Sequence, residues 1–171
     1  MLKTINIFII NLFILTTLDA AEPRLATLNS VTSNELQIFQ IRQNTYSCRP
    51  YGVVTLNKLH QNSNSDSMCK KSIEQFYIQN PDSQYLALNL LKIKQMYHLE
   101  FRENRCILFA KGEKSLSEIL LERGVALLRP DFKDEVYGVL YKRAQDKAKF
   151  LKRGLWGENI TKECIVELYE K

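Results

Sequence analysis

The side chains with the widest chemical range in this sequence are two histidines and four cysteines. His60 opens the polar run His60-Gln61-Asn62-Ser63-Asn64-Ser65-Asp66-Ser67, and a side chain that titrates near neutral pH can serve as a general base. With no partner acid beside it in its own loop, His60 reads as an exposed loop histidine. His98, within an alternating segment, reads as a strand-surface residue. Cys48, Cys69, Cys106 and Cys164 include no C-x-x-C and lack the paired spacing of a zinc knuckle, so thiolate metal binding is not expected. An even number of cysteines points instead to disulfides, and Cys48 with Cys69 is the expected pair. Cys106 has a competing reading as a small buried apolar residue. The chain contains no G-x-S-x-G, P-loop or H-E-x-x-H pattern.

The elements that must position any site are clearest between Asn104 and Leu128. Cys106, Leu108 and Ala110 alternate with Arg105, Ile107 and Phe109, the period-2 pattern of a strand with two unlike faces. Lys111 and Gly112 turn the chain. Ser115 to Glu118 spell S-x-x-E, a capping box that satisfies backbone N–H groups left free by a first helical turn. Leu116, Ile119 and Leu120 fall on one helical face, and Gly124 supplies the left-handed exit, so the helix is about two turns long. A short strand, Val125 to Leu128, comes next. Upstream, Arg24 to Ile41 reads as a β-hairpin turning near Ser33 and Asn34. Residues 42–50 read as a loop, Tyr51 to Leu59 as a strand, 68–79 as a helix opened by Cys69, 85–94 as its helical continuation and Met96 to Phe101 as another strand. A last helix carries Val136, Leu140, Ala144, Ala148 and Leu151 as an inward stripe, with Lys142, Arg143, Lys147, Lys149, Lys152 and Arg153 on a solvated face. Gly154 ends it, Trp156 anchors the C-terminal segment, and Cys164 is placed to tie down the tail.

This order of strand, turn, short helix, R-G exit and V-A-L-L strand, followed by AQDKAKFLKRGLW over Ala144 to Trp156, resembles the staphylococcal (thermonuclease-like) nuclease family, most clearly over residues 105–156. The resemblance implies an α+β fold, a five-stranded OB-type barrel packed by about three helices, over residues 24–168. It also implies phosphodiester cleavage by two arginines, calcium-binding aspartates and a glutamate that activates water. Such chemistry needs fixed cations against the charge that builds on phosphate, and hard carboxylate oxygens for the ion.

Matched residue by residue, the site is depleted. The family's acidic turn between its first two strands reads Thr32-Ser33-Asn34-Glu35 here, leaving Asn34 and Glu35 as the nearest metal candidates. The arginine, aspartate and glutamate of the third strand fall on Gly52, Asn57 and His60. The second arginine falls on Glu103, between Arg102 and Arg105. No catalytic residue, metal or cofactor is therefore expected, with calcium required only if an active enzyme persists. What remains is a nucleic-acid-binding surface of Arg102, Arg105 and Lys111, of the kind OB barrels present to single strands.

Composition bounds these readings. With 45% apolar and 25% charged residues in 171 positions, the chain has the makeup of one ordinary globular domain. Residues 5–18 are apolar, preceded by Lys3 and followed by Ala20 and Ala21, the pattern of a secretory signal over residues 1–20. An exported protein, periplasmic or secreted, is expected, the alternative being an uncleaved N-terminal anchor. The net charge of +5 favours an anionic partner such as nucleic acid or a membrane surface. Three functions are compatible with these features: a degenerate nuclease-like protein binding nucleic acid, an active divergent thermonuclease-type endonuclease, or a cell-envelope protein-interaction domain.

Overall fold

The computed structural model of the protein describes residues 23–102 and 104–157, together with Ile160 and Cys164. The apolar N-terminal run, Glu103 and the C-terminal edge of the expected domain lie outside those residues.

The chain enters through the expected hairpin, β1 (Arg24–Val31) and β2 (Gln37–Ile41), paired antiparallel with a register irregularity between Leu28 and Ser30. Ala26, Leu28 and Phe39 point inward and are buried, as alternation requires. Its turn is closed by the Leu36 carbonyl accepting from Thr32 N at 3.0 Å and by Ser33 Oγ accepting from Glu35 N at 3.1 Å. The polar segment after Arg42 is not the expected loop, for β3 (Asn44–Cys48) pairs antiparallel along all of β2. Its side chains other than Cys48 meet water or the rim, and so the strand lacks the apolar alternation by which strands are read.

The expected strand from Tyr51 to Leu59 is cut in two. Only β4 (Val53–Thr55) is extended, and α1 (Leu56–Asn62) starts at once, because Thr55 Oγ1 accepts from Lys58 N at 3.2 Å as an N-cap. Helix α2 (Met68–Gln79) keeps its expected bounds, capped by Ser67 and burying Cys69, Ile73 and Phe76. Of the expected helical continuation over 85–94 only α4 (Leu86–Leu90) forms, preceded by the short α3 (Pro81–Gln84). Then come β5 (Met96–Arg102), β6 (Arg105–Lys111), the brief β7 (Lys114–Ser115), α5 (Leu116–Glu122), β8 (Ala126–Leu128) and α6 (Tyr137–Phe150).

The architecture is mixed α+β with a mostly antiparallel sheet in the order β3-β2-β1-β5-β6-β7, and β4 paired with β8 beside it. Among the described residues no set of ladders closes into a barrel. The chain just past β3, at one end of the sheet, nevertheless reaches β6 at one point, a parallel bridge between Pro50 and Cys106 in which Cys106 N donates to the Arg49 carbonyl (2.9 Å) and Tyr51 N to the Cys106 carbonyl (3.1 Å). Cys48 is disulfide-bonded to Cys106 beside that bridge, with Cα atoms 5.4 Å apart, and Cys69 to Cys164 at 4.8 Å. The expected Cys48–Cys69 pair is thus corrected. Cys48 sits on a strand, its side chain fully buried, and the sheet's curvature brings it to β6, not to α2, which carries Cys69.

Helix α5 follows its capping signal, with Ser115 Oγ accepting from Glu118 N at 3.1 Å and donating to the Tyr141 hydroxyl at 3.0 Å. That second bond lies on the buried face of α6, which is not in the expected phase. Tyr141 stacks on Phe132, 5.7 Å between centroids, so the buried face is Tyr141, Ala144 and Ala148, while Val136, Leu140 and Leu151 are exposed. Two glycines join the ends of α5 and α6. Gly124 and Gly154 both take positive φ, and a Cβ on Gly124 would meet the Arg153 carbonyl oxygen at 2.1 Å. Leu155 N donates to the Gly124 carbonyl at 2.9 Å, and Trp156 packs against the core with Lys149 Nζ 4.7 Å from its ring centre. No helix among the described residues is long and apolar enough to cross a membrane.

Candidate functional site

The β1–β2 turn, the end of β3 and α1 meet around Glu35. The hairpin turn sets Glu35 inward, where it is buried and its Oε2 accepts from Thr55 Oγ1 at 2.9 Å. Thr55 therefore does two jobs, capping α1 and fixing the carboxylate. In front of Glu35 lies a small recess of about 100 Å³ lined by Thr32, Ser33, Arg49, Lys58 and Gln61 among others. Asn34 is turned away from it. Its Nδ2 donates to the Ser83 carbonyl (2.9 Å) and its Oδ1 accepts from Ala87 N (2.8 Å), so the side chain staples the hairpin to α3 and α4. With both Asn34 atoms engaged and Glu35 the one carboxylate lining the recess, the donors do not fit a calcium ion, which takes six or more oxygens. Among the described residues no three His, Cys, Asp or Glu side chains converge as a metal cluster.

Arg105 is a cation close enough to that carboxylate to feel its charge. It is half-buried, and its Nη1 donates to the carbonyls of Pro50 (3.1 Å) and Val53 (3.4 Å). Burial is the main force lowering the guanidinium pKa; Arg129 and Arg49 lower it further, while Glu35 and Asp131 oppose them. Three arginines thus share one electrostatic neighbourhood. Arg129 forks onto Asp131, with Nε at 3.0 Å and Nη2 at 2.5 Å from its two oxygens. Arg49 is exposed and has no acidic partner among the described residues.

The expected trio of cations divides. Arg102 stands directly across the ladder from Arg105, but its Nη2 is held by Glu100 Oε2 at 3.3 Å, and Glu100 Oε1 accepts from the Tyr137 hydroxyl at 3.0 Å. Ile107, on that same face, is fully buried and Glu100 is buried too, so this stretch of sheet is covered. Charge from Glu100 and burial together push the Tyr137 hydroxyl pKa up, burial being the larger cause. Lys111 is exposed at the far end of β6, about 20 Å along the strand from Arg105. Arg49, Arg129 and Lys58 were not read from sequence. The available signal was the pair of Arg-Pro dipeptides, Arg49-Pro50 and Arg129-Pro130, since a residue before proline is held extended.

Of the positions matched to the family's catalytic set, Asn57 and His60 share one cleft that Gly52 does not line. Gly52 has φ of 74°, and a Cβ there would lie 2.6 Å from Phe132 Cζ, so no arginine fits at that turn. Asn57 is on a helix, its Oδ1 accepting from the Tyr77 hydroxyl at 3.3 Å. His60 Nε2 lies 2.9 Å from Glu74 Oε1, so the partner acid missing from its loop comes from α2. Asn57, Tyr77, His60 and Glu74 line an open cleft of about 650 Å³ between α1 and α2. His98 is exposed on β5 across from Leu25, the strand-surface place expected for it. Glu103 lies outside the described residues. Set beside known proteins, the chain matches no family model, and no curated protein is significantly similar to it.

Proposed function

We propose that the protein is an exported, nuclease-like domain related to the OB barrel, which has lost calcium-dependent cleavage and binds single-stranded nucleic acid at the mouth between β3, α1 and β6. The observation that carries this reading is the recess in which Arg49 and Lys58 stand with the buried carboxylate Glu35, beside Arg105 held on the carbonyls of Pro50 and Val53. Arg105 is fixed by two carbonyls and sets the field; Arg49 and Lys58, which line the recess, meet phosphates. The bridge at Pro50 and the Cys48–Cys106 bond, where β3 reaches β6, support the relation to a barrel, and two disulfides fit an oxidising compartment.

A divergent active endonuclease is the second reading, favoured by a buried acid beside an arginine. One experiment separates the two. Binding of a fluorescent oligonucleotide is titrated against salt, and its cleavage is followed with calcium and with EDTA. Salt-sensitive binding with no cleavage is the expected result. Cleavage that needs calcium and disappears in Glu35→Gln would establish the enzyme instead, and no binding at low ionic strength would leave the mouth without a nucleic-acid role.

A further inference from the structure

Helix α6 buries one side and presents another that the fold does not use. Val136, Val139 and Phe150 are 66%, 61% and 86% exposed. Together with Arg143 they fall at i, i+3, i+7 and i+14, one outward line along a helix about 21 Å long. Apolar groups stand at both ends with Arg143 between them, and Asp146, which shares the line one turn before Phe150, is held by Lys149. Lys142 and Lys149 flank the line on one side and Lys147 on the other. Of these, Lys147 is paired with Glu122 and Lys149 with Asp146, whereas Lys142 and Arg143 have no acidic partner among the described residues. Scattered exposed apolar residues need no explanation, but aligned ones on a basic helix do.

We infer that this face of α6 docks on an anionic bilayer surface, with Phe150, Val139 and Val136 entering the headgroup boundary and Lys142 and Arg143 meeting lipid phosphates. The chemistry selects this occupant. A nucleic-acid backbone would pair the cations yet leave Phe150 and the valines against water, while a neutral apolar partner would leave the cations undischarged. A charged interface above hydrocarbon accepts both, with long basic side chains reaching back to the headgroups. The site is separate from the mouth around Glu35 and does not depend on what binds there.

The test uses Phe150→Trp in the full oxidised chain, with unsubstituted protein giving the baseline from Trp156, the one native tryptophan. The apolar N-terminus can itself hold the chain on vesicles, so the readout is local: quenching of residue 150 by brominated acyl chains. Vesicles of phosphatidylglycerol with brominated phosphatidylcholine should quench and blue-shift this tryptophan, and vesicles of brominated phosphatidylcholine alone should not. Lys142→Glu with Arg143→Glu in the same background should reduce quenching by about tenfold or more, since each basic residue near an anionic surface adds several-fold to partitioning. Circular dichroism checks that these exposed substitutions leave the fold intact. Equal quenching on neutral vesicles, none on anionic ones, or indifference to the charge reversal would overturn the proposal. A blue shift that instead rises with protein concentration in the absence of lipid would assign the face to a second copy of the chain.

Discussion

At the scale of single residues, the same side-chain type does opposite work according to what lies beside it. Arg105 and Arg49 belong to one cationic group, yet Arg105 is built into the fold and Arg49 is not. Arg105→Ala should strip a charged donor from two carbonyls and destabilise the protein by about 1–3 kcal/mol, read from denaturant unfolding. Arg49→Ala should leave stability within about 0.5 kcal/mol and flatten the salt dependence of oligonucleotide binding by roughly 0.7. Equal stability losses for the two would refute this division. The sequence pattern set Arg105 on the face opposite Leu108 and so made it a free surface cation. What it lacked was the segment after β8, whose Phe132, Tyr137 and Tyr141 cover that face. Glycines were more legible. Gly124 was expected as a left-handed exit, and its contact with the Arg153 carbonyl adds a steric reason, so Gly124→Ala should cost about 2 kcal/mol or more.

Elements with their own local signals were legible, and those defined by distant partners were not. Helix α5 is announced by its Ser115 cap and α2 by apolar spacing behind three candidate caps, Ser65, Asp66 and Ser67, of which the structure uses Ser67, and both stand where the sequence puts them. Strand β3 is almost wholly polar and exists because β2 offers it a ladder, while α1 begins inside an apolar run because of one threonine. The pairing of α5 with α6 rests partly on Glu122, which Lys147 and Lys114 hold from two sides. Those hydrogen-bonded ammonium groups depress the Glu122 pKa from 4.5 to about 2. A depressed carboxylate pKa stabilises the fold above the unfolded value, and that contribution fades as pH falls from about 4.5 towards 2. Glu122→Gln should therefore be less stable than the parent by about 0.5–1 kcal/mol near neutral pH and indistinguishable from it near pH 2. A difference that persists in acid would mean that packing, not charge, is what the substitution disturbs.

Across the whole molecule, the two disulfides interlace, because Cys69 lies within the loop closed by Cys48–Cys106 and Cys106 within that closed by Cys69–Cys164. This was the least legible feature of the chain, for bridging partners 58 and 95 residues apart depends on how the sheet curves, which no local pattern encodes. Peptide mapping under non-reducing conditions should recover these two pairs, and a Cys48–Cys69 peptide would reject them. In the loop-entropy account each closure stabilises by about 4 kcal/mol. Interlacing also governs how the protein behaves under load. Held at residue 23 and at Cys164 and pulled apart, the oxidised chain transmits tension from Cys69 straight across to Cys164, so everything between those residues is shielded from the force. Only the stretch from 23 to 69 can lengthen, to about 160 Å, against roughly 490 Å once a reductant opens both bonds. Optical tweezers would read that threefold change in extension directly, and in a cell envelope it would make the oxidised protein a short tether whose length is set by thiol chemistry.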